Sequence, residues 1–249
     1  MTETQRSANR SRSVILAGCL VAGLVCYGLA IWQLQRLAQR RSRNALTVER
    51  MAQAPIDLVV AMASTEDQAY RMVRGRGAFD PNYAVYIANR SHDELPGMHV
   101  VAPLHVEESG VGILVNLGWV PIEAAEANPP STWLPERIVD VVGVLRASQT
   151  EPRFTWLADP TAAPGAPPRE RWRVLSISGI QAEVPTALSP YYLALMEPVS
   201  RESAPLPAPE VDLSEGPHLS YAIQWFAFGT TAIVGCIAWA RAARRREDP

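Results

Sequence analysis

The sequence predicts a membrane protein in which two transmembrane helices bracket a mainly antiparallel-β (α+β) periplasmic domain. Three observations carry that expectation. Residues 14–32 and 221–240 contain no Asp, Glu, Lys or Arg, and at about 1.5 Å per residue each run crosses a hydrocarbon core of roughly 30 Å. Between them, short runs rich in Val, Ile, Leu and aromatic residues alternate with turn signals. Arg241, Arg244, Arg245 and Arg246 follow the second run, whereas Glu210, Asp212 and Glu215 precede it. Positive residues favour the cytoplasmic side, so the C-terminus is placed there.

Residues 1–13 are then a cytoplasmic N-terminus and 14–34 the first span. Arg6, Arg10 and Arg12 make a basic flank like that of a signal peptide. The apolar run is longer than a signal h-region and ends in "IWQLQR" rather than a small-residue cleavage site, which predicts an uncleaved anchor. Its helix is expected to continue through "QLQRLAQRRSRNALTVERMAQ", whose Arg, Gln, Leu and Ala are good helix formers.

Residues 35–202 are the mainly-β domain. Its predicted strands are "RMVRGRGAF", "YAVYIAN", "MHVVAPLHV", "VGILVNLGWV", "IVDVVGVLRA" and "YYLALMEP", separated by signals such as "FDPN", "DELPG" and "EESG". Short connectors favour antiparallel pairing, since a parallel crossover needs a dozen or more residues. An antiparallel sheet or small barrel is expected. "DPTAAPGAPPR" reads as a loop, and 203–217 as a Pro-rich tether leading into the second span, 218–240. Residues 241–249 are a cytoplasmic C-terminus. Long loops translocate largely regardless of charge, so the arginines after the first span are compatible with a periplasmic domain. A multi-pass protein of a bacterial inner membrane is the resulting expectation.

The formal charge is -2, and all 23 basic residues are Arg. Such a near-neutral chain gives no case for nucleic-acid binding. Cys19, Cys26 and Cys236 all lie in the apolar runs, which excludes a disulfide framework or a CxxC motif in the middle of the chain.

The middle holds His92, His99 and His105, at spacings that match no zinc motif. His99 and His105 share one strand face unless Pro103 interrupts the pleat. A membrane-anchored hydrolase using that pair is one function class to weigh. There is no G-x-S-x-G elbow and no P-loop, so no catalytic set emerges. "GRG" at 75–77 lacks a third glycine and reads as backbone accommodation in a strand. Asn116, Gly118 and Trp119 read either as a partner-facing surface or as strand-end packing.

His218 differs in kind. At 100° per residue His218, Tyr221, Trp225 and Gly229 share a helical face, and on the first span Gly28, Trp32, Gln35 and Arg36 share another at the same membrane surface. Polar groups at this depth usually face protein, which makes the stripe a candidate site beside the plainer reading of an interfacial aromatic belt. Neutral imidazole is a common haem-iron ligand.

In order along the chain, "YGLAIWQLQRL", "RGAFDPNYAVYIANR", "LPGMHVVAPLHV", "GILVNLGWVP", "GVLR", "PYYLALMEP" and "PHLSYAIQWF" resemble the surfeit locus protein 1 family of cytochrome c oxidase assembly factors. Two positions depart from the family pattern: Pro217 stands where Asn is common before the His, and Leu117 where Arg is common in V-N-R-G-W. The Trp- and Tyr-rich stretch is reduced to "RFTWLADP". The resemblance implies a non-enzymatic role in maturing haem-copper oxidase, at the stage where haem a enters the catalytic subunit. It implies a haem-iron ligand at His218. Tyr221, Trp225 and Trp32 would then pack on the macrocycle and Arg36 would pair with a propionate. The implied partners are the oxidase catalytic subunit and, as a possible further one, a haem a synthase. The rival reading is a scaffold for those proteins that never touches haem.

Overall fold

The structure is a computed structural model that describes residues 3–149, 159, 168–199, 205–207 and 211–245. In chain order its elements are α1 (Glu3–Ala52), β1 (Ile56–Asp57), α2 (Leu58–Ala63), β2 (Met72–Phe79), β3 (Val85–His92) and β4 (Leu95–Val106). They continue with β5 (Gly112–Pro121), α3 (Ile122–Ala127), β6 (Val139–Ala147), β7 (Arg171–Trp172), α4 (Ile177–Gln181), β8 (Leu188–Leu195) and α5 (His218–Arg245). The chain forms two compact units, Met1–Leu46 with Asp212–Pro249, and Thr47–Val211.

The first unit is built on α1 and α5, both long and apolar enough to cross a membrane. Helix α1 continues well beyond the apolar run, as its composition predicts, and stops shortly before Pro55. Large apolar side chains such as Leu24, Ile31, Ile223 and Phe228 are exposed, the pattern of a lipid-facing surface. Most positions of the buried seam are small: Ala30 on α1 and Ala222 on α5 are 0% and 1% exposed, with Leu37 the one large side chain among them. Gly23, Ala30 and Leu37 recur every seven residues on α1, as do Ala222, Gly229 and Cys236 on α5. That repeat keeps one seam of each helix facing the other, and small residues let the backbones approach. A methyl on Gly229 would sit 3.0 Å from the Tyr27 ring and 3.2 Å from Cys26 Cβ. Tyr27 also packs against Phe226, with ring centroids 5.7 Å apart, and its hydroxyl bonds Thr230 Oγ1 at 3.0 Å.

The second unit is a β-barrel with short helices. All six sequence-predicted strands form, as β2, β3, β4, β5, β6 and β8. Sheet order runs β1-β2-β6-β8-β5-β4-β3-β7, and a further β2–β4 pairing closes the five strands β2, β6, β8, β5 and β4 into a ring. This is a Greek-key barrel of the architecture OB-folds also use. Successive strands joined by short connectors pair antiparallel, as expected. The exception is β5 with β8, which run parallel. Those two strands are separated by β6 and the α4 region, so no tight turn dictates their direction. The short edge pairings β1–β2 and β3–β7 are parallel as well.

Strand alternation sorts the side chains into two layers. Leu104, Ile113, Leu117, Leu145, Leu193 and Leu195 fill the barrel interior. Val85, Ile87, Val101, Leu114, Trp172 and Ile180 form a second cluster outside the wall, with α4 contributing Ile177 and Ile180. Helix α4 is capped by the Ser176 hydroxyl, which accepts from Gly179 N, and α2 by the Asp57 carboxylate.

Two glycines make closure possible. At Gly77 strand β2 passes from β6 to β4, pairing with Val139 on one side and Val106 on the other. A Cβ there would lie 2.3 Å from His105 O. The "GRG" motif is thus backbone accommodation in a strand, at the point where the barrel closes. Gly118 has φ of +131° and follows a bulge in β5 that leaves Leu117 unpaired with β4. A Cβ on Gly118 would stand 2.0 Å from Leu206 O. Part of the expected tether is accordingly docked: Leu206 and Trp119 exchange both backbone hydrogen bonds, at 2.7 and 2.9 Å. Except for Asp159, Pro168 and Arg169, the expected loop at 159–169 lies outside the described residues. So does most of "RFTWLADP".

Candidate functional site

His218 is the first residue of α5. The chain reaches it through a turn at Gly216, whose φ is +68°, and the helix begins with Tyr221 N donating to Pro217 O at 3.1 Å. The approach is clasped to α1 by several charged and polar contacts. Arg40 Nε donates to Ser214 O at 2.9 Å, and its guanidinium pairs with Asp212 at 2.5 Å. Arg41 grips Glu215 with both forks, at 2.7 and 2.8 Å, while Asn44 Nδ2 donates to Leu213 O at 2.6 Å. The Arg41 bond holds the Glu215 carboxyl below its ordinary range. Bonds from Ser214, then the nearby Arg40, do the same for Asp212.

Held in this way, the half-buried His218 ring meets Gln33: Nδ1 lies 2.9 Å from Gln33 Oε1. An amide oxygen only accepts, so Nδ1 carries the proton and donates. The Nε2 lone pair is then left for an electrophile such as a metal ion.

The expected site residues divide between this contact and its surroundings. Trp225 is half-buried on α5 and meets Phe228 edge-on at 6.0 Å, and Tyr221 is 46% exposed. On α1, Arg36 lies over the Trp32 ring at 5.6 Å and donates to Gln39 at 3.3 Å; Trp32 is 48% exposed. Helical geometry puts Arg36 about 60° and Trp32 about 100° round from Gln33. Arg36 therefore borders the His218 side of α1, and Trp32 stands farther round. Sequence reasoning missed Gln33, which shares a seam with the small residues Gly23 and Ala30. Their seven-residue spacing was the signal that pointed to it. Gly229, grouped with His218 by the helical wheel, likewise faces α1, against Tyr27 and Cys26.

In the barrel, His99 and His105 do share the outward face of β4, and Pro103 stays in register opposite Leu114. They are roughly 20 Å apart along the strand, too far to act on one substrate atom. His105 is exposed and pairs loosely with Asp80 at 3.5 Å. His99 is half-buried and bonds Asn116 at 3.0 Å. His92 stacks on Trp119, with centroids 5.4 Å apart. Trp119 is 3% exposed, and Asn116 Oδ1 accepts from Gly118 N at 3.1 Å. Strand-end packing thus accounts for Asn116, Gly118 and Trp119. Among the described residues no group of three or more His, Cys, Asp or Glu is arranged to hold a metal ion.

Comparison with known proteins gives the chain its relatives. Surfeit locus protein 1 of Homo sapiens is 24% identical over 222 residues, covering 83% of this chain and 71% of the human protein. Surfeit locus protein 1 of Gallus gallus is 30% identical over 153 residues, or 55% of this chain and 49% of that one. An uncharacterised SURF1-like protein of Mycobacterium tuberculosis is 30% identical over 229 residues, 88% of this chain and 80% of its own length. The family model described as SURF1 family matches residues 20–230, from within the first span to within the second, and the chain therefore belongs to the SURF1 family.

Proposed function

We propose that this protein is an assembly factor for haem-copper cytochrome c oxidase that holds haem a at His218 while the catalytic subunit matures. The observation that carries the reading is the Gln33–His218 bond, which takes up Nδ1 and leaves Nε2 as the nitrogen that would ligate iron. A second group bonded to the far nitrogen of a metal-ligating histidine orients the ring and raises its basicity. Haem would supply an iron that takes a nitrogen ligand, and a half-buried imidazole at the end of an apolar helix is chemically suited to hold it. Trp225 and Tyr221 offer aromatic faces on the same helix, and Arg36 offers a guanidinium for a propionate. Trp32, stacked under Arg36, supports that guanidinium more than it lines the site.

The proposed setting is a bacterial inner membrane, with both termini cytoplasmic and the barrel periplasmic. The proposed partners are the oxidase catalytic subunit and a haem a synthase. Protein purified in detergent from cells making haem a is expected to show a Soret band. His218→Ala should abolish it with the helical circular dichroism intact, and Gln33→Leu should weaken it. A colourless wild type would overturn the haem reading in favour of a scaffold that binds the oxidase subunits directly. Assembly of active oxidase in a deletion strain carrying His218→Ala would point the same way.

A further inference from the structure

At the end of the helix pair opposite His218, two cysteines meet. Helices α1 and α5 run antiparallel, and their contacts fix a register. Gln33 bonds His218, Tyr27 bonds Thr230, and a methyl on Gly23 would lie 2.6 Å from the Ile233 side chain. One turn farther, the same register sets Cys19 against Cys236. The two thiols are within hydrogen-bonding reach of each other. Cys236 is 8% exposed and Cys19 half-buried. On α1, Cys19, Cys26 and Gln33 recur every seven residues, so Cys19 lies on the seam that faces α5.

Both cysteines are free thiols. Among the described residues no third His, Cys, Asp or Glu is arranged with them to hold a metal ion. Cys26 stands about 10 Å away along α1, where it lies against Gly229. The number and kind of ligands decide what the pair can hold. Zn²⁺ takes three or four protein ligands, iron–sulfur clusters are held by four, and hard cations take oxygen. Thiolates select soft ions, and a closed-shell monovalent one is satisfied by two of them. Depth matters as well. Cys19 is five residues inside the first apolar run and Cys236 four residues from the end of the second, about 6–8 Å in each case. An ion and the protons it displaces therefore have a short path to water, and the charge they leave sits well away from the bilayer midplane.

We propose that Cys19 and Cys236 form a two-coordinate site for a soft monovalent metal ion, Cu(I) being the physiological one. Each sulfur exchanges its S–H bond for an S–Cu bond, and both protons leave to water with no change of oxidation state. The bound ion pins the spans together at this end, as the His218–Gln33 bond does at the other. The site is about 27 Å from His218 along α5, too far to share a ligand with it.

The test uses the reduced full chain in detergent, titrated without oxygen with Cu(I) held by a coloured chelator. Wild type and Cys26→Ser are each expected to withdraw one equivalent, with an ultraviolet thiolate-to-copper band. They should hold it more tightly as pH rises, because protons are released. Cys19→Ser and Cys236→Ser should each lose that equivalent with helical circular dichroism intact. Its retention in either variant would overturn the proposal. So would wild-type uptake no greater than that of a variant carrying both substitutions, or an equal loss in Cys26→Ser. No readout here involves haem, so this proposal and the His218 reading fail separately.

Discussion

Within the helix pair the buried seam is Gly23, Ala30, Ala222 and Gly229, whereas the barrel interior is Leu104, Ile113, Leu145 and Leu193. The contrast follows from the solvent each unit is suited to. In water, large apolar side chains are the main source of stability, at about 25 cal/mol per Å² removed from contact with it. In lipid an apolar side chain gains little by leaving the tails, so helices associate through close backbone approach and a few polar bonds. Among the described residues, the polar bonds here include Tyr27–Thr230 within the spans and a cluster at one end of the pair, from His218–Gln33 to Asn44–Leu213.

Substitutions that exploit this contrast should rank accordingly. The largest effect is expected from Leu104→Ala, which removes a fully buried side chain from the barrel. It should cost roughly 2–5 kcal/mol, read as a lower denaturant midpoint for the β-signal while the helical signal persists. An equal loss of both signals would mean that the two units do not unfold separately.

Next comes acid. His99 titrates at about 4 in the folded barrel against an ordinary 6.5. Between those values the unfolded chain binds more protons, so stability is complete above about 6.5 and falls as pH drops toward 4. The loss should reach about 3 kcal/mol. Denaturation midpoints of wild type and His99→Gln across that window check it: the variant should lack this component of the slope.

In the helix pair, Gly229→Leu should cost about 1–3 kcal/mol of association by overpacking against Tyr27 and Cys26. Spin labels on the exposed Ala38 and Ser220 should report a broadened distance distribution by pulsed electron resonance. The smallest effect belongs to Arg41→Gln, because its ion pair with Glu215 is exposed. Glu215 has a depressed pKa, so its contribution is full above the ordinary carboxylate value of 4.5 and is lost as pH falls through the lower folded value. Amide exchange around 212–217 should quicken in the variant at neutral pH and resemble wild type in strong acid.

The strands were legible because each is a short β-branched or aromatic run between turn residues, and the glycines of "GRG" already implied an unusual strand. The parallel β5–β8 pairing was not legible, since it depends on where β6 inserts and on nothing local to either strand. Helices α2 and α4 were missed for another reason: each is barely more than a turn, signalled only by the caps Asp57 and Ser176. At the candidate site, aromatic and charged residues drew attention to Trp32 and Arg36. Contact was instead decided by small residues, which carry no chemical signal and reveal themselves only through their period.

The ends of the eight-stranded sheet bear on how the protein behaves before it meets a partner. The terminal strands β1 and β7 are two residues each, and β3 is interrupted by a bulge near Asn89, whose φ is +58°. Among the described residues little straight backbone is left on which another chain could stack. Newly made copies crowded together should accordingly resist joining into amyloid-like assemblies.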